Sequence, residues 1–252
     1  MKNRSILIAL VAALVMASCQ QEKKLVQYSE LYKERPNTIY VAPLSDLTMR
    51  RAVRVTEDSL FNASLNVASK QLYLTASDPL THNGYYVPSP LMSAQIAATE
   101  TRTGKQLRNE DISDYRTELG IDAVLFITVH RWASTSSSWT TEVEYVLRST
   151  LSNKELMHVY VTATKTLPTD FKGNPIPLTD DDAFARRYGC DLPTAQRCRL
   201  VEIVNKYVLK DLPTGRRSRY GRTERYIPSH PEYFNLKIHA DGSVEMVKNE
   251  QQ

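Results

Sequence analysis

The chain has 252 residues, of which 42% are hydrophobic, and it carries 32 basic and 28 acidic side chains, for a formal net charge of +4. This hydrophobic content is enough for a packed core and excludes a chain that is disordered throughout. The near balance of charge excludes the uniform basic field typical of nucleic-acid-binding proteins, so we expect no nucleic-acid partner.

Residues 1–18 have the layout of an export signal. The segment opens with basic residues, continues as an uninterrupted apolar run from Ile6 to Met16, and ends in two small residues directly before Cys19. This order is typical of a secretory signal peptide with a small-residue processing site. The apolar run is too short to cross a hydrocarbon core of about 30 Å, so we expect residues 1–18 to be removed rather than retained as a membrane-spanning helix.

The tetrapeptide Met16-Ala17-Ser18-Cys19 resembles the lipobox of bacterial lipoproteins. The resemblance implies that the Cys19 thiol takes a diacylglycerol group and that several acyl chains, such as palmitate, hold the protein permanently on a membrane. An ordinary cleaved signal with Cys19 as a bystander is the alternative. Gln20 stands where an aspartate is the usual inner-membrane retention signal, so we expect the outer membrane, with the domain facing the periplasm.

Three regions follow the signal. Residues 19–35 are polar and charged and are predicted to form a tether, residues 36–212 an α/β domain, and residues 213–252 an arginine-rich, irregular tail. Breaks at Asp78-Pro79, Asn83-Gly84 and Gly104 separate short periodic segments within the domain, and Gly120 is predicted to end a helix. The predicted elements are a strand at 38–44, a helix from about 58 to 77, a strand at 85–87, helices at 91–99 and from 109 or 111 to 119, strands at 121–129, 139–151 and 156–164, a short helix opened by 179–182, and a helix at 193–210.

The later strands and the last helix define the fold class. Ile121–Val129 is almost continuously apolar, which favours a central strand buried on both faces. Trp139–Leu151 alternates between apolar and polar residues, which predicts a half-exposed antiparallel strand. Residues 193–210 carry an apolar stripe with helical spacing that should pack on the sheet. We therefore predict a single three-layer-like α/β domain, with a mixed sheet of about five strands flanked by helices.

Three segments of this domain resemble a bacterial lipoprotein family that carries the label domain of unknown function 799. They are Tyr40–Pro43, Gly84–Pro88 and Leu119–Val129, and the resemblance covers residues 36–165. It implies a fold similar to the amino-terminal domain of the Tol-Pal translocation protein and to the core of the curli secretion lipoprotein. Those are binding and assembly modules, and the family pattern contains no catalytic residues to carry over.

Two cysteines remain after Cys19, and they stand close together at Cys190 and Cys198. In an oxidising envelope compartment this spacing favours a disulfide. Two small buried thiols that never meet are the alternative. A metal site is disfavoured because no histidine or second cysteine pair stands nearby.

The histidines and acidic residues do not form a known catalytic motif. The five histidines lack metalloprotease spacing, and a nucleophile elbow, a P-loop and a dinucleotide fingerprint are absent from the sequence. His130 and His158 fall on neighbouring predicted strands, where a zinc or acid–base pair is one reading and hydrogen-bonded strand residues are the other. Asp180–Asp182 fits a helix start better than a calcium loop. We predict no catalytic residue, metal or cofactor.

The predicted tail contains the strongest local concentration of charge. Guanidinium groups pair bidentately with phosphate, so arginines interleaved with tyrosines favour binding to an anionic partner such as lipid phosphate or acidic glycan. A solvated tail is the alternative. The arginines are Arg216, Arg217, Arg219, Arg222 and Arg225.

Together these features predict a non-catalytic cell-envelope lipoprotein that binds protein partners in an assembly or secretion apparatus. The alternative is an envelope hydrolase acting on cell wall or glycan, for which the sequence offers only isolated acids and histidines.

Overall fold

The structure is a computed structural model that describes residues 29–43, 45–47, 67–172, 174, 176, 182–183, 186, 192–210, 212 and 233–247. The longer helices in this part are α1 (Ser29–Glu34), α2 (Val67–His82), α3 (Pro90–Thr99), α4 (Gly104–Asn109), α5 (Asp114–Leu119) and α6 (Leu192–Leu209). The strands are β1 (Ile39–Val41), β2 (Ser45–Asp46), β3 (Ala123–Ser134), β4 (Ser138–Ser149), β5 (Glu155–Thr166), β6 (Tyr233–Ile238) and β7 (Val244–Val247).

All these strands belong to one mixed sheet. Its order is β1-β3-β4-β5-β6-β7, and β2 pairs with β3 further along the same edge as β1. The long strands β3, β4 and β5 are antiparallel, whereas β1 and β2 run parallel to β3, and β6 runs parallel to β5. Parallel neighbours require long crossovers, and helices α2 to α5 and α6 provide them. The predicted class, α/β with a mixed sheet flanked by helices, is confirmed.

One face of the sheet is aliphatic and packs against α2 and α6. Its buried polar groups include a chain in which the Tyr145 hydroxyl donates to Asn205 Oδ1 (2.6 Å) and Asn205 Nδ2 donates to Thr75 Oγ1 (2.9 Å). This chain joins β4 to both helices. The aliphatic side chains of the strands are Ala123, Leu125, Ile127 and Val129 in β3, Val143 and Leu147 in β4, and Met157, Val159, Val161 and Ala163 in β5.

The opposite face carries a smaller core under helices α3, α4 and α5. Val124, Phe126 and Val146 supply the sheet side of this core. The helices and their connections contribute Ile96, Leu107, Ile112 and Tyr115. These apolar contacts involve the first half of β3 and the second half of β4, so the rest of this face is left to polar side chains.

The C-terminal region contains two strands that the sequence did not predict. Residues 213–252 were expected to be irregular, but β6 and β7 extend the sheet, which therefore has more than the expected five strands. Phe234, Leu236 and Ile238 alternate with polar residues in β6 and are almost fully buried. This period of two is the ordinary pattern of a strand with one buried face. The whole region was predicted to be irregular because of the arginine-rich residues that precede β6.

Two predictions near α2 were wrong, whereas the predicted break at Asn83-Gly84 is confirmed by the end of the helix at His82. The helix continues past the predicted break at Asp78-Pro79 to His82: Pro79 removes one backbone hydrogen bond, and the complete burial of Leu80 opposes that loss. The strand predicted at 85–87 is a single bridge between Tyr86 and Thr38. The predicted helix start near Asp58 lies outside the described residues.

The helix predicted from 109 or 111 to 119 is the shorter helix α5, and α4 lies before it in a stretch where no helix was predicted. Gly104, expected to interrupt a helix, is the first residue of α4, because the preceding Thr103 forms a capping box with Gln106. Gly120, with a φ of 68°, ends α5 in the left-handed conformation that glycine adopts without strain. The predicted terminator at Gly120 is confirmed.

Helix α1 lies within the segment that was predicted to be a tether. Leu31 is 1% exposed and belongs to the aliphatic core. The Glu34 carboxylate accepts hydrogen bonds from the hydroxyls of Ser149 and Ser152 at the β4–β5 turn. The domain therefore begins at α1, ahead of the predicted boundary at residue 36.

Candidate functional site

The strongest concentration of polar interactions surrounds Glu144 in β4, on the face opposite the aliphatic core. Glu144 pairs in register with Thr128 of β3 and Tyr160 of β5, so it stands near the middle of the sheet. The sequence predicted β4 to be half-exposed, with Glu144 and Arg148 pointing to solvent. That prediction was wrong, because β4 is central and helix α4 approaches this face, which leaves Glu144 only 9% exposed.

The Glu144 carboxylate accepts four hydrogen bonds from charged or ionisable partners. Arg108 of α4 binds it through both terminal nitrogens, Nη1 to Oε2 at 3.0 Å and Nη2 to Oε1 at 2.9 Å. His130 Nε2 lies 2.9 Å from Oε2 and His158 Nε2 lies 2.9 Å from Oε1. Since an ionised carboxylate only accepts, both histidines donate from Nε2. We call Arg108, His130, Glu144 and His158 the Glu144 cluster.

The two histidines reach Glu144 from opposite sides. His158 lies on β5 and pairs in register with Val146, which is two residues after Glu144 in β4. His130 sits in β3 where the register shifts between Val129 and Arg131. Val129 belongs to the aliphatic core, so the alternation of the strand places His130 on the opposite face, where Glu144 lies. Both histidines lie on strands, as predicted, but β3 and β5 are not neighbours, because β4 lies between them.

The electrostatics of the cluster keep Glu144 ionised. Burial raises the pKa of Glu144, but the hydrogen bonds from Arg108 and His130 outweigh burial and hold the pKa at about 2. Bidentate pairing with a guanidinium is among the strongest polar contacts in proteins. The carboxylate therefore clamps α4 to three strands of the sheet at neutral pH.

A second row of polar side chains lies next to the cluster and is more exposed. The Tyr160 hydroxyl donates to Glu142 Oε2 at 2.9 Å, and Arg131 Nη1 donates to Glu142 Oε1 at 3.3 Å. Burial and the bond to Glu142 raise the pKa of Tyr160 to about 12. The Tyr160 ring lies 5.5 Å from that of His130 and 6.1 Å from that of Tyr233, which is 55% exposed. We call Arg131, Glu142, Tyr160 and Tyr233 the open row.

Arg148 lies four residues after Glu144 on the same face and binds carbonyl groups at the C-terminal end of helix α4. Its Nη1 donates to the carbonyl oxygens of Leu107 (2.7 Å) and Glu110 (2.8 Å), and its Nε and Nη2 donate to Asn153 O. Burial lowers the pKa of Arg148. A cation at the C-terminal end of a helix satisfies carbonyl groups that have no partner inside the helix, so Arg148 has a structural role.

A shallow depression lies elsewhere, where the ends of α2 and α6 meet. It has a volume of about 540 Å³. Asn83 closes its floor, since Nδ2 donates to the carbonyl oxygens of Leu209 (2.9 Å) and Lys210 (3.0 Å). The other lining residues are Asp78, Pro79, His82, Lys206 and Lys210. Its best-defined contacts hold α2 against α6.

Several predicted site residues lie outside the described residues. They are Cys19, Cys190, Asp180, Asp181 and the five arginines Arg216, Arg217, Arg219, Arg222 and Arg225. Cys198 is buried in α6, and its pairing with Cys190 stays a prediction. Within the described ranges, no group of three or more His, Cys, Asp and Glu side chains is placed to hold a metal ion. None of the helices described is long and apolar enough to cross a membrane.

Sequence reasoning found the two histidines but missed Arg108 and the central place of Glu144. Glu144 could have been found by counting the hairpin register back from the turn after β4, which brings it beside Tyr160 and close to His158. Arg108 lies 36 residues before Glu144. A contact between residues so far apart along the chain leaves no local pattern in the sequence.

No protein-family model and no curated protein sequence matches the chain. Solved structures that it resembles include lipoprotein GNA1162 from Neisseria meningitidis, at 18% identity over 50% of this chain and 79% of that chain, with a TM-score of 0.37. The hypothetical protein CT253 from Chlamydia trachomatis shares 11% identity over 69% of this chain and 95% of that chain, with a TM-score of 0.38. The PelC dodecamer from Paraburkholderia phytofirmans shares 12% identity over 72% of this chain and 90% of that chain, with a TM-score of 0.34. The resemblance to the domain of unknown function 799 stays a prediction.

Proposed function

We propose that the chain is a non-catalytic lipoprotein of the bacterial cell envelope, anchored in the outer membrane through Cys19, and that its α/β domain binds a protein partner in an assembly or secretion apparatus. The observation that carries the non-catalytic part is the Glu144 cluster. Both histidine Nε2 atoms and the Arg108 guanidinium donate hydrogen bonds to its carboxylate. This closed set of bonds favours a clamp over a reactive centre.

The alternative, an envelope hydrolase, needs a general acid or base whose pKa lies near the operating pH. A pKa of about 2 makes Glu144 a poor proton donor at neutral pH. Glu142, the neighbouring acid, accepts hydrogen bonds from Tyr160 and Arg131. These contacts support binding over hydrolysis.

The open row is the part of the sheet face that we propose as the partner-binding surface. It combines two tyrosines, an arginine and a carboxylate, and Tyr and Arg are enriched at the centres of protein interfaces. Arg131 and Tyr233 are its most exposed members, with the Arg131 side chain 63% exposed. A partner that covers them would add contacts without disturbing the Glu144 cluster behind them.

Lipid attachment is tested by metabolic labelling with a fatty-acid analogue. We expect label on the wild-type chain and none on Cys19→Ser. Label that survives this substitution, or a wild-type chain without label, contradicts the anchor.

Partner binding is tested by crosslinking in native membranes followed by purification of the complex. We expect Tyr233→Ala together with Arg131→Ala to reduce the yield of the crosslinked complex, and the control Leu91→Ala, which removes an exposed apolar side chain on α3, to leave it unchanged. A hydrolytic activity on wall or glycan that is abolished by Glu142→Gln or His158→Gln, in variants that remain folded, would contradict the non-catalytic function.

A further inference from the structure

His130 belongs to the Glu144 cluster and also contacts the open row. Its Nε2 donates to Glu144 Oε2 at 2.9 Å, and the centre of its ring lies 5.5 Å from that of Tyr160. His158 donates to the other oxygen of the same carboxylate at the same distance, and its Nδ1 lies 3.4 Å from Glu155 Oε2. The two histidines therefore hold one carboxylate, but of the two it is His130 whose ring contacts the open row.

Glu144 gives His130 a firm attachment. The residue is 9% exposed, and Arg108 of α4 binds its carboxylate through two hydrogen bonds. Hydrogen bonds to a charged group are short and directional, and they are stronger where little water reaches them. A ring that donates to such a carboxylate has little freedom to rotate about its side-chain bonds.

Tyr160 and Tyr233 continue a line of rings from His130 across the sheet. Tyr160 of β5 pairs in register with Glu144 on one side and with Tyr233 of β6 on the other. Its ring centre lies 5.5 Å from that of His130 and 6.1 Å from that of Tyr233. Both distances fall in the range of about 4.5–7 Å at which aromatic rings pack against one another. The line ends at an exposed ring, since Tyr233 is 55% exposed.

The hydroxyl of Tyr160 has a less firm attachment than the ring of His130. It donates to Glu142, whose cationic partner Arg131 lies 3.3 Å away and has 63% of its side chain exposed. Water screens an exposed ion pair of this kind, and holding its side chains in one geometry costs conformational entropy. The orientation of the Tyr160 ring therefore depends more on His130 than on Glu142.

We propose that His130 is a positioning residue for the open row. Attached to Glu144, it holds Tyr160, and through Tyr160 the exposed ring of Tyr233, in the orientation that the protein partner binds. This inference rests on the proposed function of the open row. Association is weaker when side chains must be ordered on binding, so rings that are ordered beforehand bind the partner more tightly. Helix α4 then supports the binding surface from behind, through Arg108 and Glu144.

The test compares His130→Gln with the matched change His158→Gln in the full lipidated chain. Glutamine can keep an N–H donor for Glu144 in both variants, but the ring in contact with Tyr160 is lost only in His130→Gln. After crosslinking in native membranes, we expect the yield of the complex to fall several-fold for His130→Gln and to stay near that of wild type for His158→Gln. Melting temperatures establish that both variants are folded. Equal yields for the two variants would overturn the proposal.

A second measurement needs no partner and includes the unsubstituted protein. In detergent-solubilised full chain with isotope-labelled tyrosine rings, nuclear magnetic resonance gives the rate at which each ring flips. We expect the Tyr160 ring to flip slowly in wild type and in His158→Gln, and faster in His130→Gln. Fast flipping of Tyr160 in wild type, or a rate that His130→Gln leaves unchanged, contradicts the positioning role.

The double variant Tyr233→Ala with Arg131→Ala separates this inference from the proposed function. If the double variant leaves the yield of the complex unchanged, the open row is not the partner-binding surface and the proposed function fails. If the double variant lowers the yield and His130→Gln does not, the open row binds the partner and only the role of His130 is rejected.

Discussion

The two faces of the sheet are held to their helices by different forces. The face that packs on α2 and α6 is mostly aliphatic in β3, β4 and β5, apart from Trp139, Thr141 and Tyr145 in β4. The opposite face has a small apolar core, and beyond it α4 is attached by Arg108 and Arg148 through hydrogen bonds to Glu144 and to backbone carbonyl groups. The strength of apolar contacts depends on the area that they bury, whereas the strength of ionic contacts depends on the protonation state and the relative orientation of the two groups. The two layers should therefore respond differently to pH.

The largest effect is expected from Leu125→Ala, which removes a fully buried side chain from the aliphatic face. Loss of burial and the cavity left behind should lower the free energy of unfolding by about 3 kcal/mol. Urea unfolding measures the change. The control Leu151→Ala, an exposed side chain in the β4–β5 turn, should change stability by less than about 0.5 kcal/mol. A comparable loss in the control would contradict the assignment of the core.

A smaller effect is expected from Glu144→Gln on the ionic face. The substitution keeps the shape but removes the charge to which Arg108, His130 and His158 donate. We expect a loss of about 2 kcal/mol in the free energy of unfolding, in line with charged hydrogen bonds. Glu118→Gln, at an exposed position on α5, is the control. If both variants lose the same stability, Glu144 is not a clamp.

The difference between wild type and Glu144→Gln should depend on pH below neutrality. Because the folded-state pKa of Glu144, about 2, lies below the unfolded value of about 4.3, its stabilisation is fully present above pH ~4.3 and is lost as the pH falls toward ~2. Urea midpoints measured across this range should converge for the two proteins. The difference in urea midpoint between wild type and Leu125→Ala should stay constant over the same range. If these two midpoints also converge at low pH, the two faces do not differ in their response to pH.

The smallest effect is expected from Arg131→Gln in the open row. Arg131 contacts Glu142 at 3.3 Å with 63% of its side chain exposed, so water screens the pair and its loss should cost less than about 0.5 kcal/mol. The Arg108 side chain is only 27% exposed, so Arg108→Gln should lower the free energy of unfolding several times more than Arg131→Gln. Urea unfolding of both variants tests this, and equal losses would mean that burial does not separate the cluster from the row.

The sequence predicted the elements whose signals are local. Ile121–Val129 was identified as a central strand from its continuous apolar run, and residues 193–210 as a sheet-packing helix from their period. The short strand β7 and the bulge at His130 carry no comparable pattern. The burial of Glu144 depends on Arg108 and α4, which lie far away along the chain. A polar residue in an alternating strand looks solvent-facing until the layer above it is known.

Arg148 also affects the order in which the domain can fold. The last carbonyl groups of α4 receive their hydrogen bonds from a residue 41 positions further along the chain, in β4. A helix of 6 residues is marginal on its own in water. Since non-local contacts form only after a large loss of chain entropy, we expect α4 to gain amide-exchange protection only after the β4–β5 hairpin has formed. The aliphatic side of the sheet would then act as the template on which the ionic side is assembled.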